Sequence, residues 1–261
     1  MKGIIGAIAG DIIGSVFENN RIKTKDFDLF TRKSQFTDDT VMTLAISKWL
    51  CADKDSKDVL IRNLKYFGNL YPNAGYGGRF MKWLAQDSPQ PYGSWGNGSA
   101  MRVSPCAWVA DSLEEAQDLA RTSAIVTHDH PEGVKGALAT SDAIYLARVG
   151  ASKDEIRDHI EVRYDYDLSF TVDDIRPEYS FEISCQKSVP ESIVCFLDAK
   201  DFEDTIRNAI SLGGDADTMA AIAGSIASAY WDVSKNIAYK SIYRLDYTLL
   251  NVFIDFEEKF M

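Results

Sequence analysis

Apolar positions recur every three or four residues along most of the chain, and strand-like alternation is scarce, so the pattern predicts helices throughout. Expected helices run over 3–18, from Thr37 to about Cys51, and from Ser56 to Leu70. A short one lies between the glycine-rich stretches near 79 and 89. Others run from Ser112 to about Val126, over 131–149, and from Ser152 to about Arg163. The last four start at Ser188, Asp201, Thr218 and about Tyr239, ending at Leu197, Leu212, Tyr230 and Phe260. Ser112-Leu113-Glu114-Glu115 is a capping box, and Gly150 closes the helix before it. Residues 164–187 lack a clear period and read as a loop or lid. No composition break or fixed-period repeat marks a boundary, which predicts an all-α chain in one domain spanning 1–261.

Two helices stand out by their small residues. The first repeats glycine at Gly3, Gly6, Gly10 and Gly14, leaving a smooth ridge along which another helix can approach. Glycine is costly inside a helix, so a packing reason is expected. The helix after Thr218 carries Ala220, Ala223, Gly224, Ala227 and Ser228 at similar spacing, which makes it a candidate partner. On the first helix Asp11 and Glu18 fall on one face, with Glu18 at the far end.

Two polar hinges open directly into apolar helices: Phe36-Thr37-Asp38-Asp39-Thr40 and Gly213-Gly214-Asp215-Ala216-Asp217-Thr218-Met219. Either alone fits plain capping, since a helix start favours anions. Together they suggest more, because hard cations such as Mg²⁺, Mn²⁺ or Ca²⁺ take several oxygen ligands. If the hinges meet, their four carboxylates repel one another unless cations neutralise them. A two-metal site is the sharp expectation.

Two long segments are rich in glycine, proline and aromatics, 71–79 and 89–102, a composition that functional loops favour. Within the second, Gly96-Asn97-Gly98-Ser99 offers bare N–H groups before a helix and could cradle a phosphate, although a plain turn also fits. Thr127-His128-Asp129-His130 holds two of the three histidines. With no third nitrogen or sulfur ligand in view, a substrate contact or structural hydrogen bond suits His128 better than zinc. His159, on a charged helix, reads as solvated.

Composition narrows the class. A net charge of −11 argues against a nucleic-acid or anionic-membrane surface. The four cysteines show no metal spacing and read as reduced, mostly buried thiols. No apolar run reaches the roughly 18 residues of a membrane span. The N-terminus has a single lysine, an interruption at Asp11 and no clear cleavage site, so it is not read as a signal peptide. A cytoplasmic, monomeric protein is expected.

These motifs, taken in order, resemble the ADP-ribosylglycohydrolases, a family that includes the dinitrogenase reductase-activating glycohydrolase. The likeness rests on Gly10-Asp11-Ile12-Ile13-Gly14 with Glu18, the Thr37-Asp38-Asp39 hinge, Gly96-Asn97-Gly98-Ser99-Ala100-Met101-Arg102, Thr127-His128, and Leu212 through Thr218. It spans nearly the whole chain. It implies an orthogonal helical bundle with two Mg²⁺ or Mn²⁺ ions in a central cleft. Thr37, Asp38, Asp39, Asp215, Asp217 and Thr218 would be metal ligands, and Glu18, Asp38 and Asp217 the catalytic set. Gly98 and Ser99 would lie against the diphosphate with His128 nearby. Ala216 departs from the common threonine or serine at a position that is not a ligand. The implied reaction cleaves the glycosidic bond of an ADP-ribosylated protein or small molecule, through an oxocarbenium-like state. Tyr76, Tyr92 or Trp95 could stack on adenine. A phosphohydrolase cutting the diphosphate and a non-catalytic ADP-ribose binder remain alternatives.

Overall fold

The computed structural model describes residues 1–261, and it is all-α: fifteen α-helices, one 3₁₀ turn and no sheet. Its axis is a pair of helices. The helix Ile5–Gly14 is buried at every residue, and Ala216–Tyr230 is buried from Ala216 to Ala229. A helix apolar on all sides belongs in an interior. The two pack on each other more extensively than any other pair. A Cβ on Gly6 would strike Ser228 and the Gly224 carbonyl, and one on Gly10 would strike the Ala220 carbonyl. One on Gly14 would lie 2.5 Å from the Ala216 oxygen, and reciprocally one on Gly224 would lie 2.6 Å from the Gly6 oxygen. The glycine ridge therefore serves backbone-to-backbone contact with the small-residue helix, as the spacing suggested. Other helices wrap this pair, with Trp49, Trp83, Phe196 and Phe256 filling the core.

Most predicted boundaries hold within two residues because their caps form. Ser56, Ser112, Ser152 and Asp201 each accept the N–H three residues on. Three predictions change. The first helix stops at Gly14: the next turn packs Phe17 on Phe27, ring centroids 4.8 Å apart, and takes Glu18 off the helix. Asp11 and Glu18 thus share no helical face. The expected C-terminal helix is two, Lys235–Ile242 and Tyr247–Phe260. Asp246 divides them by capping the second, accepting from the N–H groups of Thr248 and Leu249 at 3.0 Å. His159 is not simply solvated: its Nε2 lies 2.8 Å from Asp142 Oδ2. Asp142 is fully buried on Pro131–Arg148 and needs donors, and Gln117 and Tyr164 supply two more at 2.8 and 2.6 Å.

The unpatterned stretch 164–187 is loop around one short helix, Val172–Ile175, and the turn Cys185–Lys187. Its far end pairs with the glycine segment: Asn97 N–H donates to Ile183 O at 2.8 Å and Cys185 N–H to Trp95 O at 2.9 Å. Lys23 ties this loop down, donating to the carbonyls of Arg176, Tyr179 and Leu212. The cysteines are unpaired, three buried and Cys51 half-buried. No helix is long and apolar enough to cross a membrane.

Gly10→Ala tests the ridge. The added methyl meets main chain that cannot rotate away, so the variant should lose about 1–3 kcal/mol or more, read from denaturant melts. Gly78→Ala, where a Cβ meets nothing within 4 Å, should be near neutral in the same measurement.

Candidate active site

The first hinge is built around a carboxylate from another helix. Thr37 caps Asp38–Ala52, its hydroxyl accepting from Asp39 N–H at 3.3 Å. The same hydroxyl donates to Asp11 Oδ1 at 2.6 Å. Asp11 Oδ2 accepts from the N–H groups of Thr37 and Thr40, at 2.9 and 3.0 Å, and from the Thr40 hydroxyl. Four donors from one hinge thus end on one fully buried side chain. Asp11 supplies the anion that a helix N-terminus favours, and it fixes where Asp38 and Asp39 begin.

The second hinge turns at Gly213, whose φ of +64° suits glycine. It delivers Asp215, Asp217 and Thr218 to the start of Ala216–Tyr230. Gly14 lies against the backbone of Ala216 and Asp217, and Asp11 lies one turn earlier on the same helix. The glycine ridge consequently brings hinge to hinge. The Thr218 hydroxyl donates to Asp39 Oδ2 at 3.1 Å, closing the junction. Asn97 Nδ2 donates to Asp215 Oδ2 at 2.8 Å, joining the glycine segment to it.

The carboxylates converge as two overlapping groups. Oxygens of Asp11, Asp39 and Asp217 lie within 4.8 Å of one another, and so do those of Glu18, Asp215 and Asp217. Burial, reinforced by the neighbouring acids, pushes Asp38 up to about 8 and Asp39 and Asp217 well above the ordinary carboxyl range. Asp215 is pushed up to about 6 by burial, against the opposing pull of its Asn97 hydrogen bond. No lysine or arginine forms an ion pair with any of these acids. Asp39 Oδ1 is buried without a hydrogen-bond partner. An all-oxygen donor set with an orphaned buried carboxylate oxygen fits a hard divalent cation.

A cleft of about 420 Å³ opens above this floor, within the range of small-molecule sites. Glu18, half-buried on the turn after the first helix, Asp38, Asp39, Asp215, Asp217 and Thr218 line one end. Gly98 and His128 also line the cleft; a Cβ on Gly98 would lie 3.2 Å from His128 Nε2. Burial, then Arg102 and Arg79, hold the imidazole well below its ordinary pKa, so it is neutral. Thr127 Oγ1 accepts from Arg102 at 2.8 Å and lies 2.7 Å from His128 Nδ1. With Nδ1 engaged by Thr127, the ring presents Nε2 towards Gly98 at the cleft.

A family model for ADP-ribosylglycohydrolase matches residues 1–251. The chain belongs to the ADP-ribosylglycohydrolase family. It is 29% identical to ADP-ribosylhydrolase ARH3 of Homo sapiens, over 89% of this chain and 85% of the relative. It is 26% identical to ADP-ribosylarginine hydrolase Tri1 of Pseudomonas putida, over 88% of this chain and 70% of that protein. A solved ADP-ribosylglycohydrolase-related protein complex contains a chain of the same fold, with a TM-score of 0.75 at 19% identity, covering 99% of this chain and 96% of that one.

Within this ADP-ribosylglycohydrolase chain, two expected residues face elsewhere. Ser99 is fully buried and donates to Gly133 O at 2.6 Å, because the single turn Gly98–Met101 rolls its hydroxyl onto the Pro131–Arg148 helix. Its side chain does not reach the cleft. Thr37 commits its hydroxyl hydrogen to Asp11 and lies behind the cleft surface. Tyr76 and Tyr92 line the cleft, whereas Trp95 does not. Sequence reasoning named Asp11 and Asn97 within its motifs but gave neither a role in the site. The available signal for Asp11 was an acid in an otherwise apolar helix.

Asp11→Ala would strand four donors in a dry interior and should cost about 2–5 kcal/mol in a denaturant melt. Thr40→Val, which removes one of them, should cost about 1 kcal/mol.

Proposed function

We propose that this ADP-ribosylglycohydrolase family member hydrolyses the glycosidic bond between ADP-ribose and an acceptor, with two Mg²⁺ or Mn²⁺ ions held by Asp38, Asp39, Asp215, Asp217 and Thr218, and with Thr37 bracing Asp11 behind them. The observation carrying this reading is the meeting of the two hinges around Asp39, whose Oδ1 has no protein partner. The names of its relatives, ADP-ribosylhydrolase and ADP-ribosylarginine hydrolase, support the reaction class.

When bound, the cations would neutralise the carboxylates, grip ribose hydroxyls and acidify a water. The chain's own groups do the rest. Asp38 and Asp217 hold the floor and set the register of the ribose over it. Glu18 borders the same floor but sits outside both hinges, on a turn and half-buried. It takes a proton from the attacking water and stabilises positive charge developing at the anomeric carbon. Elsewhere on the cleft wall the Gly98 backbone and the neutral His128 offer polar contacts to the diphosphate.

The deciding measurement is product identity on ADP-ribosylated arginine and serine peptides and on small-molecule conjugates. Free ADP-ribose is expected; AMP would indicate cleavage of the diphosphate, and no product would indicate a binder. Mg²⁺ should raise Tm, EDTA should reverse it, and Asp38→Ala or Asp217→Ala should abolish the response. A wild-type melt indifferent to both would sink the metal assignment.

Glu18→Gln should keep the Mg²⁺ response of the melt yet lose roughly 10²–10⁴ in turnover. Near-wild-type turnover would reduce Glu18 to a rim acid. Gly98→Val, crowding His128, should weaken ADP-ribose binding in calorimetry while leaving that Mg²⁺ response nearly intact.

A further inference from the structure

The acids do not account for all of the cleft's charge. Arg79 borders the same cleft from the first turn of Gly78–Leu84, where it is exposed. The other arginine bordering the space, Arg102, is fully buried and spends its donors on Ser123 O and Thr127 Oγ1. No lysine borders it, and His128 is neutral. Among the residues lining the cleft, Arg79 is therefore the one cation free to meet a ligand; Arg21, outside the lining, is stacked over Phe181 at 4.4 Å and acts on Asp215.

It is also held in place. Its guanidinium donates to the Tyr92 carbonyl and stacks over the Tyr92 ring, 5.0 Å from guanidinium carbon to ring centroid. That ring lies 5.9 Å from His128, which borders Gly98. Arg79, Tyr92, His128 and Gly98 thus form one continuous wall. A guanidinium has five N–H donors, and one is used within the protein. Arg79 belongs to no ion pair, although the chain carries an excess of acids. The wall before it is cut back without any packing demand: a Cβ on Gly77 or Gly78 would meet nothing within 4 Å.

We propose that Arg79 is the residue that grips the diphosphate, so that the cleft selects pyrophosphate diesters over ligands carrying ribose or adenosine alone. This rests on the hydrolase reading above for the placement of ribose over the acids. The geometry suits a ligand whose uncharged hydroxyls meet the acidic floor while its anionic middle reaches a fixed guanidinium. Such a planar fork matches phosphate oxygens two at a time, whereas a lysine would act as a point charge. Because the contact lies away from the anomeric carbon, it serves ground state and transition state alike, and its loss belongs in KM.

The test compares wild type, Arg79→Met and Arg79→Lys by calorimetry, with ADP-ribose in Mg²⁺, with adenosine, and with ADP in EDTA, where the wall is probed with the floor free of metal. Arg79→Met should weaken ADP-ribose and ADP on the order of 10- to 100-fold. Adenosine affinity should be unchanged, and Arg79→Lys should recover part of the loss. The wild-type ADP affinity should fall more steeply with salt than that of Arg79→Met. In turnover, KM should rise with kcat nearly constant. ADP-ribose affinity within twofold of wild type in Arg79→Met, with an unshifted melt, would falsify the grip and leave Arg79 a brace for the Tyr92 loop. Loss of ADP binding in Arg79→Met, alongside a wild type that releases no ADP-ribose, would overturn the hydrolase reading and keep the grip. A wild type that binds neither nucleotide overturns both.

Discussion

Everything in this molecule that concerns the cleft depends on two helices touching backbone to backbone. Side chains of ordinary size would hold the axes of Ile5–Gly14 and Ala216–Tyr230 at 8–10 Å. The glycines at Gly6, Gly10, Gly14 and Gly224 remove that spacer, and carbonyl groups occupy the space. Close approach contributes dispersion along the whole contact, but its larger effect is positional. The N-terminal end of one helix and the C-terminal end of the other are pinned side by side, and both hinges hang from that point.

The arrangement stores an electrostatic cost. Five acids border the floor without an ion pair to any basic side chain, and burial together with the neighbouring acids pushes the carboxyls of Asp38, Asp39 and Asp217 well above the ordinary range. Hydrogen bonds relieve part of it at Asp11 and Asp215. Asp39 keeps an oxygen with no relief. The fold tolerates this because the acids stand at helix starts, where backbone dipoles offset some of the charge, and because the small-residue interface beneath cannot loosen to let water in.

Features encoded within a few consecutive residues were legible in the sequence, and features encoded across the fold were not. Both Asp hinges, the glycine ridge with its small-residue partner, and the caps at Ser56, Ser112, Ser152 and Asp201 are local patterns with local physics. The end of the first helix at Gly14 is decided by Phe17 reaching Phe27, a contact no periodicity announces. Asp246 reads as an ordinary surface acid until Thr248 and Leu249 present their N–H groups to it. Asp11 draws its donors from Thr37 and Thr40, beyond an irregular loop, so spacing within its own helix says nothing of them. His159 looked solvated because its partner, Asp142, is on another helix.

The inward turn of Ser99 has a consequence for how such a site changes over time. A cradle formed by main-chain N–H groups reads shape and charge, and it is indifferent to which side chain hangs behind it. In the cradle proposed above, the side chain at position 99 is then constrained by the carbonyl of Gly133 and the room beside Cys185, since it does not line the cleft. Exchanges among small residues there would drift with the helix packing while the cradle's affinity stayed put. A comparison of homologous chains that took variation at this position as a sign of altered substrate would be reading the history of an interior seam.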